Sequence, residues 1–378
     1  MERETHIVSI IDYSSGGEGV ARLEDGRVLF VKGAARGDVC KVAIVSERQR
    51  ICFAEIVRII TPSEFRVRPD CPVYSICGGC DFRHITYEEE LRAKLKRVND
   101  ALKRLAGISL QADEMLTAGK PDGYRNKAVL HTARQGKETV IGFYRAKTND
   151  VCPIEYCPLL RGEINNALRE LWDKKQFSAG EKIRFRVGSN GLSPPIEETL
   201  DGLTFRMSED SFFQVNTDAA LLLYRKAKQY AALGKDETLL DIYCGVGTLT
   251  LFLGRDAKFA LGVESNLSAV KDAEINAKNA KLSHIEFICA DAAKWDSGDF
   301  KPDCVVTDPP RAGMSTEAIE KILQLSPKRI IYISCDPATL ARDIKRLSND
   351  YNASEVCVID MFPRTANVEC CVLLVSNR

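Results

Sequence analysis

The sequence predicts an α/β protein with a doubly wound, Rossmann-like sheet in its C-terminal part, a small OB-like β-barrel at the N-terminus and a central α+β domain. From about residue 206, strand candidates alternate with helical patterns, which is typical of a mostly parallel sheet. Short β-branched runs separated by glycines fill residues 1 to about 60, and a cysteine cluster follows them. A chain of 378 residues is long enough for two or three domains. We therefore expect domains at residues 1–62, 63–205 and 206–378.

Composition and charge exclude several classes of protein. The chain has 53 lysine and arginine residues and 53 aspartate and glutamate residues, which excludes a polybasic nucleic-acid tail and a strongly acidic disordered chain. No run of eighteen apolar residues and no apolar signal segment occurs, so we expect neither a membrane helix nor secretion. We expect a cytoplasmic monomer without a disulfide framework. Its 14 cysteines are then available for metal binding, catalysis or core packing.

The first 62 residues have the pattern of a small barrel. Val28–Val31 and Val39–Val45 are rich in β-branched residues, and Gly16-Gly17, Asp25-Gly26 and Gly33 mark turns. Short strands at this spacing predict a small closed sheet.

The central region combines a predicted helix with a basic stretch. Apolar positions recur at helical spacing between Glu88 and Leu105, which predicts an amphipathic helix. Lys120–Lys147 contains seven basic and two acidic residues, interleaved with aromatic residues such as Tyr124 and Phe143. This mixture suits phosphate contact and base stacking, although a solvated basic β face fits the composition equally well.

Apolar runs in the C-terminal part predict six strands, at Leu239–Tyr243, Phe259–Val263, Ile285–Ala290, Cys304–Thr307, Ile330–Ser334 and Cys370–Val375. Helical patterns lie between most of them, at Leu267–Ala280, Thr316–Leu325 and Pro337–Leu347. In such sheets ligands bind at the carboxyl ends of the strands, so the residues that end each strand are the candidate site residues.

A glycine-rich turn follows the first of these strands. Asp241 precedes the turn, Gly245-Val246-Gly247 forms it, and Thr250 stands where a dinucleotide fingerprint has its third glycine. Glu264 ends the second strand, where a carboxylate can bind ribose hydroxyls, and Asp291 follows the third strand, near an expected adenine. This pattern favours S-adenosylmethionine. A structural tight turn and a nucleotide-dependent dehydrogenase are the alternatives.

Two further strand ends carry groups suited to chemistry on a pyrimidine. Asp308-Pro309-Pro310-Arg311 ends in arginine where amino-directed methyltransferases have an aromatic residue, which argues against amino methylation. Cys335 ends the next strand just before Pro337, where a helix N-terminus could lower the pKa of its thiol. A thiolate there could add to C6 of a pyrimidine and make C5 nucleophilic. Taken alone, however, a cysteine that ends an apolar strand is more often a core residue.

Glu369 is the candidate base. An adduct methylated at C5 must lose its C5 proton, and Glu369 is a lone acid before the apolar run Cys370–Leu374. Without the other motifs, a solvated carboxylate would be the more frequent explanation.

Together these motifs resemble the RNA uridine-C5 methyltransferases that form 5-methyluridine in tRNA and ribosomal RNA. The matching pieces are Phe213–Asn216, Asp241–Gly247, Asp308–Arg311 with Gly313, Ser334–Pro337, Phe362–Thr365 and Val368–Glu369. Family members usually carry a histidine in place of Asn367 and often an asparagine in place of Thr248, which affects positioning but removes no reacting group. By the same resemblance, residues 1 to about 60 are similar to a TRAM domain, a small RNA-binding barrel.

The resemblance implies a role for each candidate residue. It implies Cys335 as the nucleophile and Glu369 as the base. It implies S-adenosylmethionine as methyl donor, surrounded by Gln214, Tyr243, Thr248, Glu264, Asp291 and Asp308, with Asp308 also near the target base. We expect a loop or bulge uridine, because unstacking is cheapest there. The TRAM-like domain and the cysteine cluster resemble the ribosomal-RNA branch, which implies 23S ribosomal RNA as the substrate. A tRNA substrate, an amino-group methyltransferase and an RNA-binding module with an inactive methyltransferase half are the alternatives.

Cys71, Cys77 and Cys80 form a C-x5-C-x2-C cluster that lacks a fourth ligand. Cys152 and Cys157 are both candidates for it, and all-thiolate ligation suits either zinc or an iron–sulfur cluster. The ribosomal-RNA branch of the resembling family carries a [4Fe–4S] cluster with this spacing. The resemblance therefore implies a structural [4Fe–4S] cluster with Cys157 as its fourth ligand.

Overall fold

The computed structural model describes residues 4–192, 194–208 and 211–378. None of the helices in these ranges combines the length and apolar character that a membrane crossing requires. The strands of the first two regions are β1 Thr5–Ser9, β2 Asp12–Tyr13, β3 Gly19–Arg22, β4 Val28–Val31, β5 Val39–Arg48, β6 Ile51–Thr61, β7 Met115–Leu116, β8 Lys127–Gln135, β9 Glu138–Tyr144, β10 Val151–Pro153, β11 Lys182–Arg186, β12 Ile196–Leu200 and β13 Leu203–Met207. Their helices are α1 Tyr87–Ala101 and α2 Gly162–Lys174.

The C-terminal part continues this series with alternating helices and strands. Its helices are α3 Thr217–Ala231, α4 Thr248–Gly254, α5 Leu267–Asn279, α6 Thr316–Leu325 and α7 Pro337–Leu347. Its strands are β14 Thr238–Ile242, β15 Phe259–Glu264, β16 Ile285–Cys289, β17 Cys304–Thr307, β18 Arg329–Ser334, β19 Tyr351–Ile359 and β20 Glu369–Ser376.

The N-terminal part is a six-stranded sheet with the order β1-β5-β6-β4-β3-β2. The register shifts three times along the β5–β6 pair, and bulges of this kind bend a sheet around its own core. That core is separate from the others and includes the fully buried Leu29, Val31 and Cys52. The strands predicted at Val28–Val31 and Val39–Val45 are thus confirmed as β4 and part of β5.

Buried Asp38 ties this sheet to the segment that follows it. Its carboxylate accepts the backbone N–H groups of Ala35 at 2.7 Å and Ser63 at 2.8 Å, and it also pairs with Arg66. Next to it, Arg36 forms an ion pair of 2.8 Å with Glu89 on α1. The N-terminal sheet is therefore joined to α1 by charged groups that are largely shielded from water.

The central sheet is antiparallel, with the order β10-β9-β8-β11. On β8, Ala128, Leu130 and Thr132 are buried, whereas Lys127 and His131 on the opposite face are partly exposed. The buried face packs against α2, which contributes the fully buried Ile164 and Leu168. The other face of this sheet carries charged and aromatic side chains.

Helix α1 confirms the predicted amphipathic helix, and its last turn widens into a π-helical turn at Leu102–Ala106. Fully buried Val98 and Leu102 pack into the core of the C-terminal sheet, and β7 extends that sheet by pairing with β19. These two elements lie within the predicted central domain, yet they pack against the C-terminal one. The limits at residues 62 and 205 remain predictions.

The C-terminal sheet has eight strands in the order β16-β15-β14-β17-β18-β20-β19-β7. The five strands from β16 to β18 in that order are parallel, and β20 lies antiparallel between β18 and β19. Apolar cores cover both faces, as expected for a doubly wound sheet. All six predicted strands are present, whereas β19 was missed.

Candidate active site

The carboxyl ends of the parallel strands bring most of the predicted site residues to one edge. Glu264 is the last residue of β15, and Tyr243, Asp308 and Cys335 directly follow β14, β17 and β18. Glu369 begins β20, and because β20 is antiparallel to β18, with Ser334 opposite Cys370, its start lies at the same edge. The predicted nucleophile and the predicted base therefore lie at the same edge of the sheet, although Cys335 follows β18 and Glu369 begins β20.

The glycine-rich turn after β14 has a backbone that few residues can adopt. Tyr243, Gly245 and Gly247 have φ angles of 68°, 55° and 79°. A left-handed conformation is costly for a bulky residue such as tyrosine and is found mainly at functional sites. A Cβ atom on Gly247 would lie 2.8 Å from the Phe287 ring and 3.0 Å from Ala273, so only glycine fits there. Thr248 then begins α4.

Asp241, near the end of β14, is a residue of this edge to which the sequence motifs assign no role. It is fully buried, and one carboxyl oxygen accepts a 2.6 Å hydrogen bond from the Thr250 hydroxyl, while the other has no partner among the described residues. Burial raises the pKa of Asp241 to about 8. The bond also explains why threonine replaces the third glycine of a dinucleotide fingerprint. The available signal was an acid at the end of an otherwise apolar strand.

The two predicted acids on the next strands differ in their surroundings. Glu264 accepts the backbone N–H groups of Gly245 at 3.2 Å and Asn266 at 2.7 Å, so it holds the glycine-rich turn against β15. Asp291 is exposed and accepts the N–H of Ala293 at 2.8 Å. Both carboxylates thus lie at the carboxyl edge of the sheet, Glu264 at the end of β15 and Asp291 in the loop after β16, where hydroxyl and amino groups of a ligand could bind.

Gln214 reaches this edge from the segment that precedes α3. It is buried, and its carbonyl oxygen accepts a 3.0 Å hydrogen bond from the Asn126 side chain, while the Asn126 backbone N–H donates to Val215 at 2.9 Å. Asn216 caps α3 and donates to the carbonyl of Met361 at 3.2 Å. Sequence motifs located Gln214 but not its support by Asn126, since the two are far apart in the chain.

The thiol of Cys335 lies in an acidic, partly buried environment. Burial raises its pKa to about 11, with smaller contributions from the negative charges of Glu369 and Asp308, while Arg311 opposes them. The expectation of a lowered pKa was therefore wrong for the protein without its ligands. The cause is the burial of the thiol beside two carboxyl groups. The N-terminus of α7 is capped by Asp336, which accepts the N–H groups of Ala338 at 2.9 Å and Thr339 at 3.0 Å.

Glu369 and Asp308 form a pair of poorly solvated carboxyl groups. Glu369 is only 2% exposed, and its Oε1 has no hydrogen-bond partner among the described residues. Burial raises its pKa well above the ordinary value, and the neighbouring Asp308 adds to the effect. Burial also raises the pKa of Asp308, to about 6. Glu369 is thus not the solvated carboxylate that was the alternative interpretation.

The loop before Glu369 is held by groups that the sequence did not reveal. Fully buried Lys94 on α1 donates to Glu90 at 2.6 Å, to Asp360 at 2.7 Å and to the carbonyl of Phe362 at 3.1 Å. Glu90 in turn accepts the backbone N–H of Arg364 at 2.7 Å. A buried ion-pair network thereby fixes the approach to the candidate base.

The same loop also contacts Arg311 and the segment Cys71–Asp81, which contains three of the predicted cysteine ligands. Asp81, which follows Cys80, accepts the backbone N–H of Ala366 at 2.9 Å. Arg311 donates to the Asn367 side chain at 2.7 Å, so Asn367 positions this arginine.

The four cysteines proposed as ligands lie in one region of the central domain. The thiols of Cys71, Cys77 and Cys80 all interact electrostatically with that of Cys157, and burial raises the pKa of Cys77 to about 11 and of Cys80 to about 12. Backbone N–H groups of Leu159 and Leu160 point to Cys157. Within the described ranges, however, no three His, Cys, Asp or Glu side chains form a group that could hold a metal ion.

Comparisons with known proteins give two family matches. The profile described as tRNA (Uracil-5-)-methyltransferase matches residues 194–377, and the profile described as TRAM domain matches residues 1–57.

Similar proteins match the chain over nearly its whole length. An uncharacterized RNA methyltransferase of Gloeobacter violaceus is 33% identical and covers 99% of this chain and 97% of its own. One from Bacillus cereus is 31% identical and covers 96% and 95%. The crystal structure of Pyrococcus abyssi tRNA (uracil-54, C5)-methyltransferase in complex with S-adenosyl-L-homocysteine is 26% identical, with a TM-score of 0.79, and covers 98% of this chain and 100% of that one.

Proposed function

Because this chain belongs to the S-adenosylmethionine-dependent RNA (uracil-C5)-methyltransferases, we propose that it methylates a loop or bulge uridine of 23S ribosomal RNA, with Cys335 as nucleophile and Glu369 as base. One observation carries the assignment of these residues. A half-buried thiol and two carboxyl groups, those of Glu369 and Asp308, lie within electrostatic reach of one another at the carboxyl edge of the sheet. Carbon methylation needs a nucleophile and a base together, and this pair supplies both.

Cys335 acts first. Its thiol loses a proton to solvent, and the thiolate forms a bond from Sγ to C6 of the uracil ring. The electrons of the C5–C6 double bond move toward C5, which becomes nucleophilic. Arg311 is the cation that favours the thiolate, since it opposes the effect of the two carboxyl groups.

S-adenosylmethionine supplies the methyl group on a sulfonium cation, and a cation beside Glu369 and Asp308 favours their ionised forms. Gln214, Tyr243, Thr248, Glu264, Asp291 and Asp308 would hold it. As the bond from C5 to the methyl group forms, the bond from sulfur to that methyl group breaks. Ionised Glu369 then takes the C5 proton, the C5–C6 double bond forms again, and the Cys335 thiolate leaves from C6.

Substitution of the two reacting residues tests this assignment. We expect Cys335→Ala to abolish transfer of tritiated methyl groups to RNA, whereas Cys40→Ala, which removes a buried thiol of the N-terminal core, should retain it. Glu369→Gln should accumulate a covalent protein–RNA adduct, visible as a denaturing gel shift that Cys335→Ala removes. Full activity of Cys335→Ala would refute the mechanism and favour amino-group methylation.

A uridine in tRNA is the second candidate substrate. It is favoured by the likeness over the full length of the Pyrococcus abyssi protein, which is a tRNA (uracil-54, C5)-methyltransferase. Mapping of 5-methyluridine by mass spectrometry, in ribosomal RNA and tRNA from a deletion strain, separates the two. Loss of the base from 23S RNA alone supports the proposal, and loss from tRNA alone refutes it.

We also propose a structural [4Fe–4S] cluster bound by Cys71, Cys77, Cys80 and Cys157. The electrostatic proximity of the four thiols supports it, as do the N–H groups directed at Cys157. Four thiolates around one zinc ion lie about 3.8 Å apart, given Zn–S bonds of about 2.3 Å. Thiolates of a cubane cluster are spaced more widely, because irons and sulfides lie between them, so metal and sulfide analysis distinguishes the two.

Metal and sulfide analysis of protein purified without oxygen tests the cluster. We expect about four irons and four acid-labile sulfides per chain. Cys157→Ala should lose them, while Cys152→Ala, which removes the other cysteine of this segment, is the matched control and should retain them. One zinc per chain, or cluster loss only in Cys152→Ala, would overturn the assignment.

A further inference from the structure

The groups proposed to react lie on one face of the C-terminal sheet. On each of four strands, the residue two positions from the strand-end group belongs to the apolar core that α3 and α4 cover; these core residues are Leu239, Val306, Ile333 and Cys371. Side chains of a strand alternate between its two faces, so Asp241, Asp308, Cys335 and Glu369 point to the side of α3 and α4. A side chain that α3 presents at this edge is therefore a neighbour of the candidate site.

Tyr224 is the side chain of α3 that approaches this edge. It is 4% exposed, and its ring packs against that of Phe252 on α4, with centroids 5.8 Å apart. Long side chains of a helix point back toward its N-terminus. The N-terminus of α3 is capped by Asn216, two residues after Gln214, so the Tyr224 hydroxyl is directed toward the candidate site.

The Tyr224 hydroxyl lies within electrostatic reach of three carboxyl groups, those of Asp308, Glu369 and Asp241. Two of these groups have an oxygen without a hydrogen-bond partner among the described residues, Glu369 Oε1 and Asp241 Oδ1. A buried acceptor that lacks a donor is costly, and buried polar groups are nearly always paired. The edge thus combines acceptors that need a donor with a buried hydroxyl that can donate.

The proposed reaction favours a donor that carries no charge. Burial, and then the charge of Asp308, raises the pKa of Glu369, yet Glu369 must be ionised to take the C5 proton. A hydrogen bond donated to the carboxylate favours its ionised form. A cation in the same place would repel the positive methyl donor, whereas a phenol does not. Tyr224 also keeps its own proton, because burial and the three carboxyl groups oppose the phenolate and raise its pKa.

We propose that Tyr224 is a positioning residue of the methyl transfer: its hydroxyl donates to the carboxyl groups of Glu369 and Asp308, directly or through one water, and favours the ionised Glu369 that takes the C5 proton. The inference rests on the proposed function for its reaction. The proton moves from C5 to Glu369, and the hydroxyl proton of Tyr224 stays in place. The other titratable and charged groups around this pair are Asp241 from β14, Cys335 after β18 and Arg311 from the loop after β17.

Tyr224→Phe tests the proposal, because it keeps the ring beside Phe252 and removes only the hydroxyl. The substrate is total RNA from a deletion strain, and tritium that stays with the protein on a denaturing gel after nuclease digestion measures the methylated adduct. At pH 7 the adduct should decay about 10- to 100-fold more slowly than in the wild type, the loss expected for one hydrogen bond to a charged group. The ratio of the two rates should approach one as the pH rises to 9, because Glu369 then ionises without the donor.

Tyr230→Phe on the same helix is the matched control. Tyr230 is 5% exposed and interacts electrostatically with Cys357, Cys371 and Glu355, none of which belongs to the candidate site. Loss of this hydroxyl should leave the decay of the adduct unchanged. Both variants should retain the wild-type Kd for S-adenosylhomocysteine, measured by titration.

Alkylation of Cys335 by iodoacetamide gives a second readout that needs no RNA. Without the Tyr224 hydroxyl, the neighbouring carboxyl groups keep their protons to higher pH, so less negative charge opposes the thiolate. In ligand-free Tyr224→Phe the alkylation should therefore move to lower pH than in the wild type, while Tyr230→Phe should keep the wild-type profile.

The outcomes separate this inference from the proposed function. Methyl transfer by the wild type, with the same adduct decay in Tyr224→Phe, would overturn the inference and leave the function intact. A loss that does not change with pH, or one that Tyr230→Phe shares, would also overturn it, because the hydroxyl would then serve folding alone. Absence of methyl transfer by the wild type would overturn the proposed function, and the alkylation profile would then decide whether Tyr224 acts on the carboxyl groups.

Discussion

At the scale of single residues, the state of Cys335 sets the conditions for reaction. With a pKa raised to about 11, the thiol is almost entirely protonated at pH 7, and each unit of pH increases its thiolate about tenfold up to that value. In the proposed mechanism one of the neighbouring carboxyl groups, that of Glu369, removes a proton, and the same carboxyl groups make the Cys335 thiol less acidic. The positive methyl donor and Arg311 offset that conflict.

We expect alkylation of Cys335 by iodoacetamide to accelerate about tenfold per pH unit between pH 7.5 and 9.5 in the ligand-free protein. Peptide mass spectrometry would measure it against Cys289, an exposed thiol of the same chain. Arg311→Ala removes the cation that favours the thiolate, so the reaction should move to higher pH. A rate for Cys335 that is constant from pH 7 upward would contradict the raised pKa.

Asp241 gives a second prediction, about stability. Its folded pKa of about 8 exceeds the unfolded value of about 3.9, so between these values the folded state holds a proton that the unfolded chain has lost. The free energy of unfolding therefore falls as pH rises through this window. Asp241→Asn should gain stability relative to the wild type from pH 5 to pH 7.5, by at most about 1.4 kcal/mol per pH unit.

Urea unfolding at the two pH values measures the effect on stability. Asp299→Asn, on an exposed loop, is the control and should change little between them. A constant difference between Asp241→Asn and wild type would show that Asp241 is already ionised in the folded protein.

Local motifs were enough to find the residues that follow strands. The sequence predicts the strand-end residues Cys335, Asp308 and Glu264 because each of them directly follows or ends an apolar run in the chain. The pKa of Cys335 was not predictable, because it depends on Glu369, which arrives from another strand. Asp241 was visible, but its bond to Thr250 and its burial required the turn geometry.

At the scale of elements, α1 contributes most to the candidate site. It carries Lys94, whose ammonium group lies between Glu90 and Asp360 without access to water. Removing one partner of such a group leaves uncompensated charge, which is far more costly than removing a surface pair. The loop that precedes Glu369 therefore depends on a helix that lies some 270 residues earlier in the sequence.

We expect Lys94→Met to lower the free energy of unfolding by about 3–5 kcal/mol, because Glu90 and Asp360 would remain buried and unpaired. Lys96→Met on the same helix is the control. Lys96 is 42% exposed and pairs with Asp12 at 2.8 Å and Asp100 at 2.6 Å, so its loss should cost at most about 1 kcal/mol. Urea denaturation midpoints would compare them, and equal losses would show that the network contributes no more than a surface pair.

Elements with uniform patterns were predictable, and those with mixed patterns were not. The helix at α1 was recognised from its apolar spacing, but that spacing gave no sign that Lys94 is buried with its partners. Strand β19 was missed because it begins with Tyr351-Asn352-Ala353-Ser354-Glu355, whose polar residues hide an apolar second half. Its neighbour β20 is apolar from Cys370 to Val375 and was found.

At the scale of the whole molecule, the three regions meet at Arg97. This residue of α1 donates from the same nitrogen to the carbonyl of Ser15, in the turn between β2 and β3, at 3.2 Å and to that of Ala366, in the loop before Glu369, at 2.6 Å. It also interacts electrostatically with Cys335, and burial lowers its pKa. Arg97 is therefore a positioning residue that links the N-terminal sheet to the loop before Glu369.

We expect Arg97→Ala to lower kcat for RNA methylation about tenfold, the cost of losing roughly one hydrogen bond to a charged group, while the Kd for S-adenosylmethionine stays unchanged. Arg104→Ala is the control, because Arg104 is 73% exposed and makes only a 3.6 Å pair with Asp100. Single-turnover rates and cofactor titration would measure the two effects. An equal loss of cofactor affinity would mean that Arg97 supports the whole fold and does not act on the loop.

The placement of β20 between β18 and β19 has a consequence for synthesis on the ribosome. Cys335 leaves the exit tunnel before Glu369, and at about 5–20 residues per second the delay lasts a few seconds. During that time β18 is an open apolar edge, and β19 has only the short strand β7 to pair with. The nascent chain thus holds Cys335 without Glu369 and a sheet that lacks one of its inner strands. A chaperone that covers this edge would protect the protein at the moment of greatest risk of aggregation.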